Sequence, residues 1–259
     1  LNDVNDKGSI VLNGDKLIVD GVKIEFDDYE FNSDESKILL LTNVAPIYRH
    51  SYQAVYYLFD LSTQKVTPLD TEHSPQTLAE YSPDGTKVSF IHGNDLFVKT
   101  IASGKVEKIT QDGKRNKIIN GTTDWVYEEE FAITKAYGWS PDSKYIAYLR
   151  FDEKSVPEYN MDFYGALYPE QYTFKYPKAG EVNSIVTAHL VSLENKKTQA
   201  IDLGTYEYIP RLNWSAKSNQ LIIQTMNRHQ NELKYWLVDV VKGKASSKNF
   251  FTETSKTYV

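Results

Sequence analysis

The 259-residue chain contains no cysteine, which excludes disulfide bonds, thiolate metal sites and cysteine nucleophiles. Its five histidines are scattered, and none forms the HExxH pair of a zinc peptidase. No apolar run approaches the roughly 20 residues of a membrane span, and residues 1–7 lack the basic and apolar blocks of a signal peptide. We therefore expect no metal site and no cofactor, and the residues show no targeting segment.

Positive charge is also scarce. The net charge is −6, the isoelectric point is about 5.5, and Lys and Arg do not cluster with aromatic residues, so we expect no nucleic-acid partner. Hydrophobic residues make up 41% of the chain, enough to bury a sizeable core. The aromatic fraction of 13%, with 19 tyrosines, favours strands over helices. An all-β protein is predicted.

One short pattern occurs four times along the chain. In each copy an aromatic residue ends a strand, a polar turn follows, and a β-branched or aromatic run begins the next strand. A second strand pair of similar shape follows each copy. Four-stranded units that repeat in this way are typical of a β-propeller with antiparallel blades. The copies are FNSDESKILLL (31–41), YSPDGTKVSFI (81–91), WSPDSKYIAYL (139–149) and WSAKSNQLIIQ (214–224).

The repeat predicts that residues 1–259 form one partial propeller domain. A partial blade lies near 1–27, with a hairpin around Asn13-Gly14, and full blades lie near 28–70, 76–111, 132–204 and 206–255. The units are longer than the usual blade of about 40 to 45 residues, so they must carry inserted segments. We place the insertions at 110–137 and 151–182, and we expect the second to loop out of a hairpin of the blade at 132–204.

The first insertion contains three consecutive glutamates between large apolar residues, in the sequence NGTTDWVYEEEF (120–131). Runs of like charge are most often solvated, but these apolar neighbours favour carboxylates that are held in place beside packed apolar side chains. We expect a short helix here, on which successive side chains point about 100° apart, so that two glutamates can flank one cation. A primary ammonium with three donors suits such a fork, and an Arg from elsewhere in the chain suits it equally.

A nucleophilic serine is suggested only by Gly138-Trp139-Ser140, which resembles the start of a GxSxG elbow. The elbow needs glycine two residues after the serine, and Asp142 stands there. Because the surrounding residues repeat the pattern at Tyr81, we interpret Ser140 as part of a blade turn. We expect no catalytic residue in this chain.

Four segments in order resemble one known family. They are RHSY (49–52), NGTTDWVYEEEF (120–131), AYGWSPDSKYIAYLRFD (136–152) and YPKAGEVN (176–183). Together they are similar to the N-terminal propeller of the dipeptidyl peptidase IV family of prolyl-oligopeptidase-type serine peptidases. The resemblance implies an eight-bladed ring followed by an α/β-hydrolase domain that carries Ser, Asp and His. We therefore expect about half of the ring here, with the hydrolase domain absent from this chain because it is a fragment; the alternative is a degenerate homologue.

The same resemblance implies roles for individual residues. Glu129 and Glu130 take the positions of the family's two amine-anchoring glutamates, and Arg49 that of the arginine binding the carbonyl of the substrate's second-to-scissile residue. His50 lies beside Arg49 and is included as a substrate-binding residue. Glu128 is expected to be structural or solvated. Two carboxylates at a fixed distance from a nucleophile would bind a substrate's free N-terminus and so set how far from it the chain is cut.

The predicted function is that of a substrate-gating, N-terminus-recognising domain of a serine dipeptidyl peptidase that releases X-Pro or X-Ala dipeptides. The expected partners are peptides with a free N-terminus, the hydrolase domain of the same protein and a second copy in a homodimer. The resemblance implies a periplasmic, secreted or membrane-anchored protein. Two alternatives remain: a non-catalytic TolB-like scaffold for binding proteins, and a peptidase that releases tripeptides or cuts internal bonds after proline.

Overall fold

The computed structural model describes residues 10–259, and its regular structure is almost entirely β. The described part of the chain has one α-helix, α1 (Trp125–Phe131), and a 3-10 turn at Gly14–Lys16. None of its helices has the length and apolar character needed to cross a membrane. In chain order the strands are β1 (Ile18–Val19), β2 (Val22–Lys23), β3 (Asp28–Phe31), β4 (Lys37–Pro46), β5 (Tyr52–Asp60), β6 (Lys65–Pro68), β7 (Thr77–Tyr81), β8 (Lys87–His92), β9 (Asp95–Thr100), β10 (Val106–Lys108), β11 (Ile118–Asn120), β12 (Tyr137–Trp139), β13 (Tyr145–Asp152), β14 (Glu158–Phe163), β15 (Glu170–Lys175), β16 (Ile185–Ser192), β17 (Thr198–Ala200), β18 (Tyr208–Trp214), β19 (Gln220–Met226), β20 (Glu232–Val241) and β21 (Lys244–Thr254).

Most strands form four antiparallel sheets in chain order. Sheet I has the strand order β3-β4-β5-β6, sheet II β10-β9-β8-β7 and sheet IV β18-β19-β20-β21. Sheet III has the order β11-β13-β16-β17, with β12 also paired to β13. These antiparallel sheets confirm the predicted all-β class with propeller-type blades, and the ring itself is not closed.

The repeated turn has the same hydrogen bonds in two of its copies. The Ser82 hydroxyl donates to Asp84 (2.6 Å) and accepts the N–H of Lys87 (2.9 Å). The Ser140 hydroxyl likewise donates to Asp142 (2.7 Å) and accepts the N–H of Tyr145 (2.9 Å). Serine and aspartate therefore recur because their short side chains satisfy backbone groups that the tight turn leaves unpaired.

The core is divided into layers between neighbouring sheets. Tyr56 of sheet I and Phe90 of sheet II belong to one buried cluster, and Leu96 of sheet II and Ile146 of sheet III to the next. A third and larger cluster joins sheets III and IV and includes Tyr127 of α1. Each sheet thus buries its faces on its neighbours, as blades of a propeller do.

The N-terminal hairpin differs from its prediction. It pairs Ile18–Val19 with Val22–Lys23 and turns at Asp20 and Gly21, both of which have positive φ. The expected turn at Asn13-Gly14 instead starts the 3-10 segment, because the Asn13 side chain accepts the N–H of Asp15. The rest of the expected partial blade, residues 1–9, lies outside the described residues.

The segment that carries α1 leaves and rejoins one edge of sheet III, which the repeat pattern did not indicate. β11 and β12 both pair with β13, through Ile118↔Asp152 at one end and Trp139↔Ile146 at the other. The chain therefore leaves the sheet edge after β11, forms α1, and returns to the same edge at β12. The prediction began this blade at residue 132 and so missed β11.

A second excursion leaves sheet III between β13 and β16. It forms the two-stranded β14–β15 hairpin, in register from Glu158↔Lys175 to Phe163↔Glu170. The β14 strand is exposed on all its residues, and several large apolar side chains of the hairpin face solvent. The hairpin thus projects from the sheet that also carries α1.

Candidate functional site

The helix with the glutamate motif is short and depends on its cap. Asp124 lies in extended conformation just before α1, and its carboxylate accepts the N–H of Tyr127 (3.0 Å) and the hydroxyl of Ser184 (2.6 Å). The side chain is buried, and this burial raises the pKa of Asp124. A helix of 7 residues is not stable by propensity alone, so capping and tertiary contacts hold it.

Tyr127 fixes the helix against two sheets. Its ring is 1% exposed and packs edge-on against Phe151 of sheet III at 4.8 Å between centroids. Its hydroxyl accepts the buried N–H of Ile209 at the start of sheet IV (2.8 Å). α1 is therefore a rigid support on which the three following carboxylates are placed.

The three glutamates have three different environments. Glu128 is 1% exposed, and its Oε1 accepts the N–H groups of His50 (2.6 Å) and Ser51 (2.9 Å). It ties α1 to the loop between β4 and β5. Glu128 is thus a structural residue in this fold, and its carboxylate is occupied within the protein.

Glu129 forms an ion pair with Arg49. The Arg49 Nε lies 3.1 Å from Oε2 and 3.3 Å from Oε1, and the Glu129 side chain is only 17% exposed. The Arg49 side chain is 71% exposed. A largely sheltered carboxylate is therefore held by the Nε of the guanidinium, and within residues 10–259 the Nη groups of Arg49 make no hydrogen bond.

Glu130, the next residue on α1, is exposed. It lines an open groove of about 460 Å³ together with Trp125, Phe131, Tyr176 and Tyr208. The ion pairs of the described residues do not include Glu130, so its carboxylate is accessible. The YPKAG segment (176–180) and Arg228, which pairs with Glu207, also line this groove.

The structure therefore brings some of the predicted site residues together and leaves others apart. Arg49 and Glu129 are in direct contact, and Glu130 is the next residue on the same helix. His50 contributes its backbone N–H to Glu128, and its side chain is exposed. No role for the His50 side chain follows from these contacts.

Two further acidic residues belong to this region and were not predicted. Asp124 stands three residues before the Tyr127 N–H that it caps, which is a recognisable helix-start pattern. Glu153 is 4% exposed and follows β13, and burial with the nearby Asp124 raises its pKa to about 7. No local pattern signals Glu153, because its burial depends on the hairpin and on loops from other sheets.

Ser140 has the surroundings of a turn residue. It is fully buried, and its hydroxyl is bonded to Asp142 and to the backbone of the following strand. Among the described residues no group of three or more His, Asp or Glu could hold a metal ion.

The chain is similar to known peptidases over nearly its whole length. It is 34% identical to a probable dipeptidyl-aminopeptidase B of Phaeosphaeria nodorum over 93% of this chain and 30% of that protein. It is also 34% identical to dipeptidyl peptidase 4 of Arthroderma otae, over 93% of this chain and 32% of that protein. The chain thus spans about a third of the length of these relatives.

Solved structures agree with the sequence comparison. The crystal structure of Porphyromonas gingivalis dipeptidyl peptidase 4 matches with a TM-score of 0.86 and 39% identity, covering 92% of this chain and 34% of that one. A sequence model described as the dipeptidyl peptidase IV N-terminal region matches residues 32–259. These matches confirm the predicted resemblance, and the chain belongs to the dipeptidyl peptidase IV N-terminal-region family.

Proposed function

We propose that this chain is the part of a serine dipeptidyl peptidase that recognises the free N-terminus of a peptide. The observation that carries the proposal is the Arg49–Glu129 ion pair beside the accessible carboxylate of Glu130. Relatives named as dipeptidyl peptidases, matched over more than nine-tenths of this chain, favour this function over a non-catalytic scaffold.

The ligand would be a peptide α-amine. Its pKa is about 8, so the group is largely a cation at neutral pH, with three N–H donors. Glu129 is oriented by Arg49 and sheltered from solvent, which strengthens its attraction for a cation. Glu130 follows it on α1 and supplies a second acceptor. Consecutive helical residues diverge by about 100°, so the ammonium would bind between them.

Arg49 would serve the same substrate in a second way. Only its Nε contacts Glu129, so the Nη donors are available to a substrate carbonyl oxygen. A guanidinium presents its donors in a rigid fork, which lysine does not reproduce. One arginine would thus position a recognition carboxylate and bind the peptide backbone next to the amine.

The reaction itself would take place in an α/β-hydrolase domain of the full-length protein. The relatives are about three times as long as this chain, which supports a further domain. If the amine is held at a fixed distance from the catalytic serine, only the peptide bond after the second residue reaches that serine. This measurement from the N-terminus would make the enzyme release dipeptides of the X-Pro and X-Ala type.

The proposal is tested with Glu129→Ala and Glu130→Ala in the full-length protein. We expect each to lower kcat/KM for dipeptide substrates about 10- to 100-fold, since hydrogen bonds to charged groups contribute roughly 1.5–3 kcal/mol. Glu194→Ala, at an exposed turn residue, is the matched control and should leave kcat/KM unchanged. N-acetylated peptides should be poor substrates of the wild type. Near-wild-type cleavage by both variants would refute the proposal.

A second copy of the protein is the proposed macromolecular partner. The β14–β15 hairpin exposes Phe163, Tyr164, Leu167 and Tyr168, of which Leu167 is 91% exposed. Exposed apolar patches of this kind commonly mark interaction surfaces. We expect Leu167→Asp to shift the full-length protein from dimer toward monomer in sedimentation velocity. A wild type that sediments as a monomer at micromolar concentration would contradict this.

A further inference from the structure

A second cavity, of about 650 Å³, is separate from the Arg49–Glu129 pair. Its lining includes Tyr48 and Ser51, which flank Arg49 and His50 in sequence, but neither Arg49 nor Glu129. The walls come from strands and loops of sheets I, II and III and from the β14–β15 hairpin. Its volume lies within the roughly 300–1,000 Å³ range of small-ligand sites.

One wall of this cavity holds a buried carboxyl group with no protein donor. Glu153 is 4% exposed and lines the cavity, and its backbone is fixed because its N–H donates to the Lys117 carbonyl (2.9 Å). Within residues 10–259 no hydrogen bond or ion pair reaches its side-chain oxygens. Its oxygens are not among the fully enclosed unpaired side-chain atoms of the described residues, so they are reached through the cavity, and their donor is water or a ligand there.

The nearest cations are held by other partners. The Lys175 ammonium donates to the Val156 carbonyl (2.8 Å) and pairs with Glu158 (3.4 Å). The exposed Arg115 guanidinium donates to the Thr173 carbonyl (3.1 Å). Each lowers the pKa of Glu153 from a distance without bonding to it.

Acidic neighbours add to the effect of burial on Glu153. Asp124, at the cap of α1, and Asp152, paired with Lys154, both raise the pKa of the Glu153 carboxyl, and burial raises it most, to about 7. The carboxyl group therefore changes its ionisation near neutral pH. A cation in the cavity would favour the ionised form.

Part of the cavity lining is aromatic. Tyr48 and Phe174 lie 6.1 Å apart between ring centroids, Tyr172 and Phe174 5.6 Å, and Phe163 and Tyr172 6.2 Å. The faces of such rings attract organic cations. Arg115 already shows this preference, because its guanidinium lies 4.8 Å from the Tyr172 centroid. A bare metal ion fits poorly, since a single carboxylate supplies too few oxygen ligands.

We propose that this cavity binds an alkylammonium or guanidinium group, with Glu153 as its counter-ion and the aromatic cluster as its apolar wall. The group could belong to a small free amine or to a lysine or arginine side chain of a peptide, because the chemistry of recognition is shared. The site is distinct from the amine-recognition site of α1 and does not depend on the proposed function. Binding becomes tighter as Glu153 ionises.

The test uses the full-length protein and N-acetyl-lysine N-methylamide, which has a side-chain ammonium but no free α-amine. We expect binding by calorimetry at pH 8 and at least tenfold weaker binding at pH 6. N-acetyl-norleucine N-methylamide, the uncharged matched probe, should not bind. Glu153→Gln should weaken binding of the lysine probe at least tenfold, whereas Glu129→Gln should leave it unchanged.

The outcomes separate the alternatives. Equal binding by wild type and Glu153→Gln, equal binding of the norleucine probe, or no binding by the wild type overturns the proposal. If Glu153→Gln fails to fold, the comparison of the two probes and the pH dependence of the wild type still decide. Tighter binding of agmatine than of the lysine probe supports a free amine as the natural ligand, and the reverse supports a peptide side chain.

Discussion

Glu128 accepts the backbone N–H groups of both His50 (2.6 Å) and Ser51 (2.9 Å), residues 78 and 77 positions earlier in the chain. The contact joins α1 of sheet III to the β4–β5 loop of sheet I. Because Arg49 precedes this loop's bonded residues directly and Glu129 follows Glu128 directly, one carboxylate fixes the relative position of that ion pair. Glu128 thus positions the Arg49–Glu129 ion pair without being part of it.

Replacing Glu128 should therefore destabilise the protein and its site together. Glu128→Ala leaves two sheltered N–H groups without an acceptor, at roughly 1–3 kcal/mol each. We expect a loss of about 2–6 kcal/mol in the free energy of unfolding, measured by denaturant titration. Glu128→Gln keeps one acceptor oxygen and should lose less. A loss below about 0.5 kcal/mol for the alanine variant would show that the contact is weak.

In contrast to Glu128, Arg49 should affect activity strongly and the free energy of unfolding little. Its side chain is 71% exposed, and ion pairs with an exposed partner contribute about 1 kcal/mol or less. Arg49→Lys should therefore leave the unfolding midpoint nearly unchanged while kcat/KM falls at least about tenfold, since the fork of donors is lost. Steady-state kinetics and thermal unfolding on the same samples check this. A parallel fall in both would assign Arg49 a structural role.

The sequence predicted the fold because its signals are local. Ser82 with Asp84 and Ser140 with Asp142 satisfy their own turns, so each copy of the repeat is readable without the others. The hairpin at Asp20 was missed because the more familiar turn signal Asn13-Gly14 lies a few residues earlier. A local sequence signal thus predicts that a hairpin is present more reliably than it predicts which of two neighbouring turns forms it.

The candidate site was only partly predictable. Family resemblance indicated Arg49 and Glu129, and the structure shows them in contact. The role of Glu128 depends on two N–H groups from a distant loop, which no pattern within 120–131 can reveal. Glu153 gave no signal, because its burial comes from tertiary packing.

Tyr127 offers a test of how α1 is held. Its hydroxyl accepts the Ile209 N–H at 2.8 Å in a buried setting, so Tyr127→Phe leaves that N–H unpaired while keeping the ring. We expect a loss of about 1–3 kcal/mol in the free energy of unfolding. Tyr164→Phe, at a residue 80% exposed, is the matched control and should change little. Equal stability of the two variants would contradict the proposed anchoring.

Glu153 makes the free energy of unfolding depend on pH. Burial raises its pKa from 4.5 to about 7, so the folded state holds this proton more tightly than the unfolded state. The tighter binding of this proton therefore contributes its full stabilisation below pH 4.5. That contribution to the free energy of unfolding is lost as pH rises from 4.5 to about 7. The shift corresponds to about 3 kcal/mol, at roughly 1.36 kcal/mol per pH unit.

Glu153→Gln removes the titration while keeping the size of the side chain. The variant and the wild type should have similar stability near pH 4, where the native carboxyl is protonated. At pH 8 the variant should be more stable by up to about 3 kcal/mol, because it carries no buried charge. Denaturant unfolding across pH 4 to 8 measures the difference, with Glu170→Gln on the exposed hairpin as control. A difference that stays constant across this range would mean that Glu153 has an ordinary pKa in the folded protein.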